Sequence, residues 1–231
     1  MTTTPQQLWV LIQKKALNLP KKEHENFTVL VAPSWGKSGI LSRYGASLLD
    51  PLVETGFTVI VRPHPQSKQS EKGMLASLEE RYTSSANVEW DYGVENLQSL
   101  SRADIMISDF SGVIFDYAFL FDRPFLYVNS DFDARPYDAY DILEKPWRFE
   151  VLPAIGLELK EEDFPPIGSV LVEATKSKTL EENRKQAKDT AWQHRGESGE
   201  LVADYLANHV PESAVAEQVS IEAEETPEHG I

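Results

Sequence analysis

Residues 103–129 read ADIMISDFSGVIFDYAFLFDRPFLYVN and hold a strand, a helix and a second strand in immediate succession. Residues 103–109 form a strand whose centre, Ile105-Met106-Ile107, is apolar on successive positions rather than alternate ones, which marks burial on both faces. Residues 111–122 open on Ser111-Gly112 and continue as an apolar helix, and residues 124–129 (PFLYVN) form the next strand. A strand–helix–strand unit with doubly buried strands calls for a parallel sheet covered by helices.

The same alternation recurs toward the N terminus. FTVLVAP (27–33) is a continuous β-branched run, and residues 42–56 keep a helical stripe of Leu48, Leu49, Leu52 and Val53. FTVIVRP (57–63) is a second strand, followed by a helix across Met74, Leu75, Leu78 and Tyr82. A weaker strand (87–92) and a short helix (94–103) lead into the central unit. The expected fold is therefore α/β, a Rossmann-like, doubly wound parallel sheet spanning 27–209. Its C-terminal region, 165–209, is helical and packs back on the sheet. Residues 1–26, with Lys14, Lys15, Lys21 and Lys22 around Pro20, read as a short helix and linker. Residues 210–231 carry six glutamates and no Lys, Arg or aromatic residue, the composition of a disordered acidic tail.

Composition narrows the functional classes. The 231 residues include 22 Lys+Arg and 37 Asp+Glu, a formal charge of −15 that disfavours nucleic acid as a partner. Hydrophobic residues make up 41% of the chain, enough for a substantial core, which excludes global disorder. With zero cysteines there is no disulfide framework, thiol nucleophile or cysteine-ligated metal. No apolar stretch approaches the ~20 residues of a spanning helix, and the reading is of a soluble, cytoplasmic protein.

In an open parallel sheet, ligands lie beyond the carboxyl ends of the strands. Unusual polar residues stand there three times: at Pro33-Ser34-Trp35-Gly36-Lys37-Ser38-Gly39, at Arg62-Pro63-His64-Pro65 and at Asp109-Phe110-Ser111-Gly112. Gly36-Lys37-Ser38 ends like a phosphate-binding P-loop, but Val31 occupies the position of the first required glycine, so that reading fails. The loop remains either an anion-facing set of amides or a structural turn.

Arg62 and His64 lie two apart on extended chain and share one side, stiffened by Pro63 and Pro65. A guanidinium offers forked donors to phosphate, and an imidazole can donate to one or move a proton. The bland alternative is a rigid loop with a solvated arginine; the carboxyl-edge position favours function. Ser111 is a good N-cap, leaving the amides of Gly112 and Val113 unpaired at a positive helix end, and bare Gly112 lets a diphosphate approach closely. Asp116, one turn on in an apolar helix, is read as buried. It either accepts from a ribose hydroxyl or pairs with Arg123, Arg135 or Arg148.

Asp131-Phe132-Asp133 spells a metal-binding D-x-D pattern, given low weight in so acidic a chain. Ser198, in Arg195-Gly196-Glu197-Ser198-Gly199, is a further anion contact or an ordinary helix start. No H-E-x-x-H or G-x-S-x-G pattern is present.

Together, Arg62-Pro63-His64-Pro65 and the run Ala103 to Asp116 resemble the CDP-glycerol glycerophosphotransferase family of teichoic-acid-type polymer synthesis. Ala32-Pro33-Ser34-Trp35 and Arg195 to Gly199 resemble two further family segments. Gly112 stands where the family usually shows a second serine, and Ser34 where it shows threonine. The resemblance implies the C-terminal, donor-binding half of a GT-B enzyme, without cofactor or metal. By it, His64 is catalytic, and Arg62, Ser111, Gly112, Asp116, Asp109, Ser34, Trp35 and Ser198 bind substrate.

The implied reaction moves glycerol phosphate, or another polyol phosphate, from a CDP-alcohol or other nucleotide diphosphate donor onto a hydroxyl of a cell-surface polymer precursor. Residues 1–26 hold no counterpart of the acceptor half. The expected partner is therefore an acceptor-domain protein or a second copy, with membrane contact only peripheral at the inner face. Rival readings are a non-catalytic nucleotide-sugar-binding module and a nucleotide-sugar epimerase of the same superfamily.

Overall fold

The computed structural model describes residues 26–128 and 146–209. The chain divides into two compact units, Lys15–Ala191 and a second drawn from Met1–Lys14 and Trp192–Ile231. The expected N-terminal helix (1–26), the acidic tail (210–231), Asp131-Phe132-Asp133 and Arg135 lie outside the described residues, apart from Asn26.

The larger unit is built on six strands: β1 (Thr28–Val31), β2 (Thr58–Val61), β3 (Val88–Trp90), β4 (Ile105–Ser108), β5 (Phe125–Tyr127) and β6 (Leu157–Glu158). All pair in parallel, in the order β3-β2-β1-β4-β5-β6. This is the doubly wound Rossmann order, whose direction of winding reverses between β1 and β4.

The helices are α1 (Ile40–Glu54), α2 (Ser67–Ser70), α3 (Lys72–Tyr82), α4 (Leu97–Arg102), α5 (Val113–Phe121), α6 (Trp147–Ile155), α7 (Ile167–Ala174) and α8 (Lys178–Ala191). Continuous apolar runs do produce strands covered on both sides. Val29, Val31, Val59, Val61, Ile105 and Ile107 join one core with α1, α3 and α7 residues. The alternate residues Leu30, Ile60 and Met106 are equally buried, as are Leu100 of α4 and Ile114, Tyr117 and Ala118 of α5. Side chains of successive strand residues point to opposite faces, so each run serves two cores at once.

The expected stripe of α1 holds, with Leu48, Leu49 and Leu52 buried. Its helix is broken at Gly45, where φ is +41° and ψ −116°, a conformation glycine tolerates without steric cost. Elements not expected include β6 and α6. The two-residue edge strand β6 is too short to show a period, and α6 begins at Pro146-Trp147 and contains Pro153, which masks its helical pattern.

The expected helical region 165–209 resolves into α7, α8 and, in the second unit, α9 (Ser198–His209). Helix α9 exposes Leu201, Val202, Tyr205 and Leu206. Among the described residues, no helix is long and apolar enough to cross a membrane.

Candidate functional site

Parallel register brings the carboxyl ends of adjacent strands level, and the ladder runs one residue past them. Ala32 N–H donates to Ile107 O, Arg62 N–H to Val31 O and Asp91 N–H to Val61 O. The three polar clusters singled out in the sequence therefore begin on one rim. The loop after β1 lies between that after β2 and that after β4, which stand two strand spacings apart, roughly 10 Å.

After β4, Asp109 turns inward rather than toward solvent and is 1% exposed. Its Oδ1 accepts from Ser34 N–H at 3.0 Å and Ser111 N–H at 3.1 Å. Its Oδ2 accepts from Ser34 N–H at 2.9 Å and Ile40 N–H at 3.1 Å. Burial pushes its carboxyl upward, opposed by hydrogen bonds from Ser34, Ile40 and Ser111. The Ser111 side chain makes no capping bond; Gly112 occupies the N-cap position, with Ser111 just before it. The amides of Gly112 and Val113 have no hydrogen-bond partner among the described residues, since Ile114 N–H and Phe115 N–H are the first to bond back, to Ser111 O and Gly112 O. A Cβ on Gly112 would meet nothing within 4 Å.

Asp116 is exposed, not buried, because the positions of α5 that face the sheet are Ile114, Tyr117 and Ala118. It has no ion-pair or hydrogen-bond partner among the described residues. Of the alternatives considered, Arg123 donates to Ser101 O and Ala103 O, and Arg148 stacks on Phe149. Desolvation by its surroundings holds the Asp116 carboxyl above the ordinary value.

On the other side of the β1 loop, His64 Nδ1 accepts from Gln66 N–H at 3.2 Å, which leaves the ring proton on Nε2. The half-exposed Trp35 ring lies 6.5 Å from the imidazole, centroid to centroid. Arg62 is neither solvated nor a free fork. Its Nη1 pairs with Asp91 and its Nη2 donates to Gly93 O at 2.8 Å. Asp91 also accepts from Ser99 Oγ and Gly93 N–H.

Asp91 was not singled out from the sequence. Its position directly after β3 is the signal that would have found it. Burial raises the Asp91 carboxyl, but the bonds from Ser99, Gly93 and Arg62 outweigh it and hold the group below the ordinary carboxylate range. A depressed carboxyl stabilises the fold fully above its unfolded value of 3.8, and the contribution is lost as pH falls through the lower folded-state value. Melting curves of the wild type and Asp91→Asn are expected to differ at neutral pH and to converge across that acid window.

Ser198 lies in the second unit, in the first turn of α9, with its hydroxyl donating back to His194 O at 3.0 Å. Among the described residues no group of three His, Asp or Glu side chains is arranged to hold a metal ion.

A parallel sheet in this order, with polar loops at its switch point, defines a Rossmann-like domain of the type that makes up half of a GT-B glycosyltransferase. The chain belongs to the CDP-glycerol:poly(glycerophosphate) glycerophosphotransferase family, whose family model matches residues 6–142. That match takes in β1 to β5 and ends before the Ser198 turn.

Among solved structures, the chain is similar to Anabaena Alr3699/HepE in complex with UDP and glucose, at 14% identity and a TM-score of 0.51, over 87% of this chain and 52% of that one. It is similar to a glycosyltransferase from Rickettsia africae at 10% identity and a TM-score of 0.52, over 85% and 54%. The wall teichoic acid polymerase TagF aligns at 19% identity and a TM-score of 0.49, over 87% and 45%. These likenesses concern the fold, and the chain spans about half the length of the structures it matches. No curated protein matches the sequence.

Proposed function

We propose that this rim holds the donor of a glycerophosphotransferase, a CDP-linked polyol such as CDP-glycerol. The observation that carries the reading is the pair of amides at Gly112 and Val113, unpartnered among the described residues, beside open space and at the same sheet edge as His64. Amides at a helix N-terminus favour an anion through both hydrogen bonding and the helix dipole. Asp116 is one turn further along α5, exposed and unpartnered among the described residues, where a carboxylate accepts from ribose or glycerol hydroxyls. Trp35 borders the same loop. Arg62, held by Asp91 and Gly93 O, stiffens the end of β2 beside His64.

The reaction is in-line attack by an acceptor hydroxyl on the β-phosphorus. The new bond joins that oxygen to phosphorus, its proton passes to a base on the acceptor-binding wall, and the bond to the bridging oxygen breaks with CMP leaving. Nε2–H of His64 is the donor available to the leaving phosphate, and the helix-end amides stabilise charge on the transferring group. One sheet edge is one wall. Transfer at a useful rate needs a second wall that brings the acceptor and excludes water, contributed by an acceptor-binding polypeptide or a second copy.

Calorimetric titration with CDP-glycerol is expected to show binding by the wild type. Ser111→Ala should weaken it by about tenfold, as for a lost hydrogen bond to a charged group. No heat from the wild type would remove the proposed site, and equal heats for the two proteins would remove the Ser111 hydroxyl from it. Testing uridine and guanosine diphosphates alongside decides which base is preferred.

A further inference from the structure

We propose that Asp109 is the positioning residue of this rim, locking the loop after β1 to the start of α5 so that the amides facing the ligand are set before it arrives. The inference rests on the donor-site reading and assigns Asp109 a role different from ligand contact. A carboxylate offers about four acceptor positions. Three N–H groups, those of Ser34, Ile40 and Ser111, make four contacts with its two oxygens, Ser34 N–H being shared between them, and the Ser34 side chain is a fourth donor, so the carboxylate is engaged within the protein. The side chain is 1% exposed, and no cation faces it among the described residues. Its charge is held by peptide N–H groups and the Ser34 side chain, and those groups come from both sides of the switch point.

The surrounding geometry supports the same tie. Ser108 Oγ donates to Ala32 O at 2.6 Å, a second buried link between the ends of β4 and β1. The β1 loop is drawn closed over Asp109, with Gly39 N–H donating to Gly36 O at 3.0 Å. A Cβ on Gly39 would stand 2.4 Å from Ser34 O, so only glycine allows the closure. Ordering the loop in advance removes that entropy cost from binding. Asparagine at 109 has nearly the same shape but only one acceptor oxygen, and its NH2 would face N–H donors.

The test uses the full chain, with Asp109→Asn and Gly39→Ala beside the wild type. In amide proton–nitrogen spectra without nucleotide, Asp109→Asn is expected to shift the Ser34, Ile40 and Ser111 resonances together. Its affinity for CDP-glycerol, measured on folded protein, should fall by about tenfold or more. A merely structural role would lower the melting temperature and leave that affinity unchanged.

Affinity within twofold of wild type, or unmoved Ile40 and Ser111 amides, would overturn the proposal. Should Asp109→Asn fail to fold, Gly39→Ala decides, because it lifts the β1 loop while leaving Asp109 in place; unchanged affinity there overturns the proposal too. Absence of binding by the wild type itself would instead sink the donor-site reading, and the amide shifts would still show whether Asp109 ties the two loops.

Discussion

Gly112→Ala is expected to raise the melting temperature while weakening nucleotide binding, two effects of opposite sign from one methyl group. Gly112 sits at φ −60° and ψ −22°, a conformation open to any L-residue, and a Cβ there touches no protein atom. Replacing glycine at a compatible position stabilises a fold by about 0.4–1 kcal/mol, chiefly by restricting the unfolded chain. For a protein of this size that is roughly a 2 °C gain in Tm. The same methyl projects into the space from which a phosphate would reach the Gly112 and Val113 amides. Close backbone approach is what glycine permits, so affinity for CDP-glycerol should drop by about tenfold or more. Thermal shift and calorimetry on one preparation read both effects. A stabilised variant that binds as tightly as the wild type would show that the ligand lies elsewhere.

The second large effect is expected at His64. The ring is held by the Gln66 amide on Nδ1 and by prolines on both sides, so its Nε2–H is presented in a set orientation. Removing a hydrogen-bond donor aimed at charge that develops in the transition state costs about 10²–10³-fold in rate. His64→Asn separates that role from loop structure, because its side-chain oxygen can still accept from Gln66 N–H while nothing replaces Nε2. Transfer of labelled glycerol phosphate from CDP-glycerol, measured with the acceptor-binding component present, should show kcat falling steeply while KM changes little. A rise in KM with kcat preserved would make His64 a binding group rather than a stabiliser of the leaving phosphate.

Much of this site was legible in the chain, though unevenly. Pro33 to Gly39, Arg62 to Pro65 and Asp109 to Gly112 stood out because each follows a run of buried β-branched or apolar residues, and a parallel sheet carries such segments to one rim. Their individual roles were less legible. Arg62 looks from sequence like a phosphate fork, yet its guanidinium is engaged by Asp91 and Gly93, about 30 residues downstream. Ser111 reads as an N-cap, yet its amide is the group that bonds, to Asp109. Asp116 lies within an apolar helix and reads as buried, but a helical wheel has no absolute orientation until the helix meets its sheet; α5 presents Ile114, Tyr117 and Ala118 to the core and leaves Asp116 outside.

The apolar periodicity alone determined that this chain forms a parallel α/β sheet, because continuous apolar strands can be stable only when both faces are covered. It likewise determined where the polar loops fall along the chain. The strand order and the division of labour among polar groups were decided only in three dimensions. Ser34 and Asp109 are 75 positions apart and Arg62 and Asp91 are 29 apart. A donor or acceptor is available to a ligand only after its partners within the protein have been satisfied, and those partners are brought within hydrogen-bonding distance by folding rather than by sequence proximity.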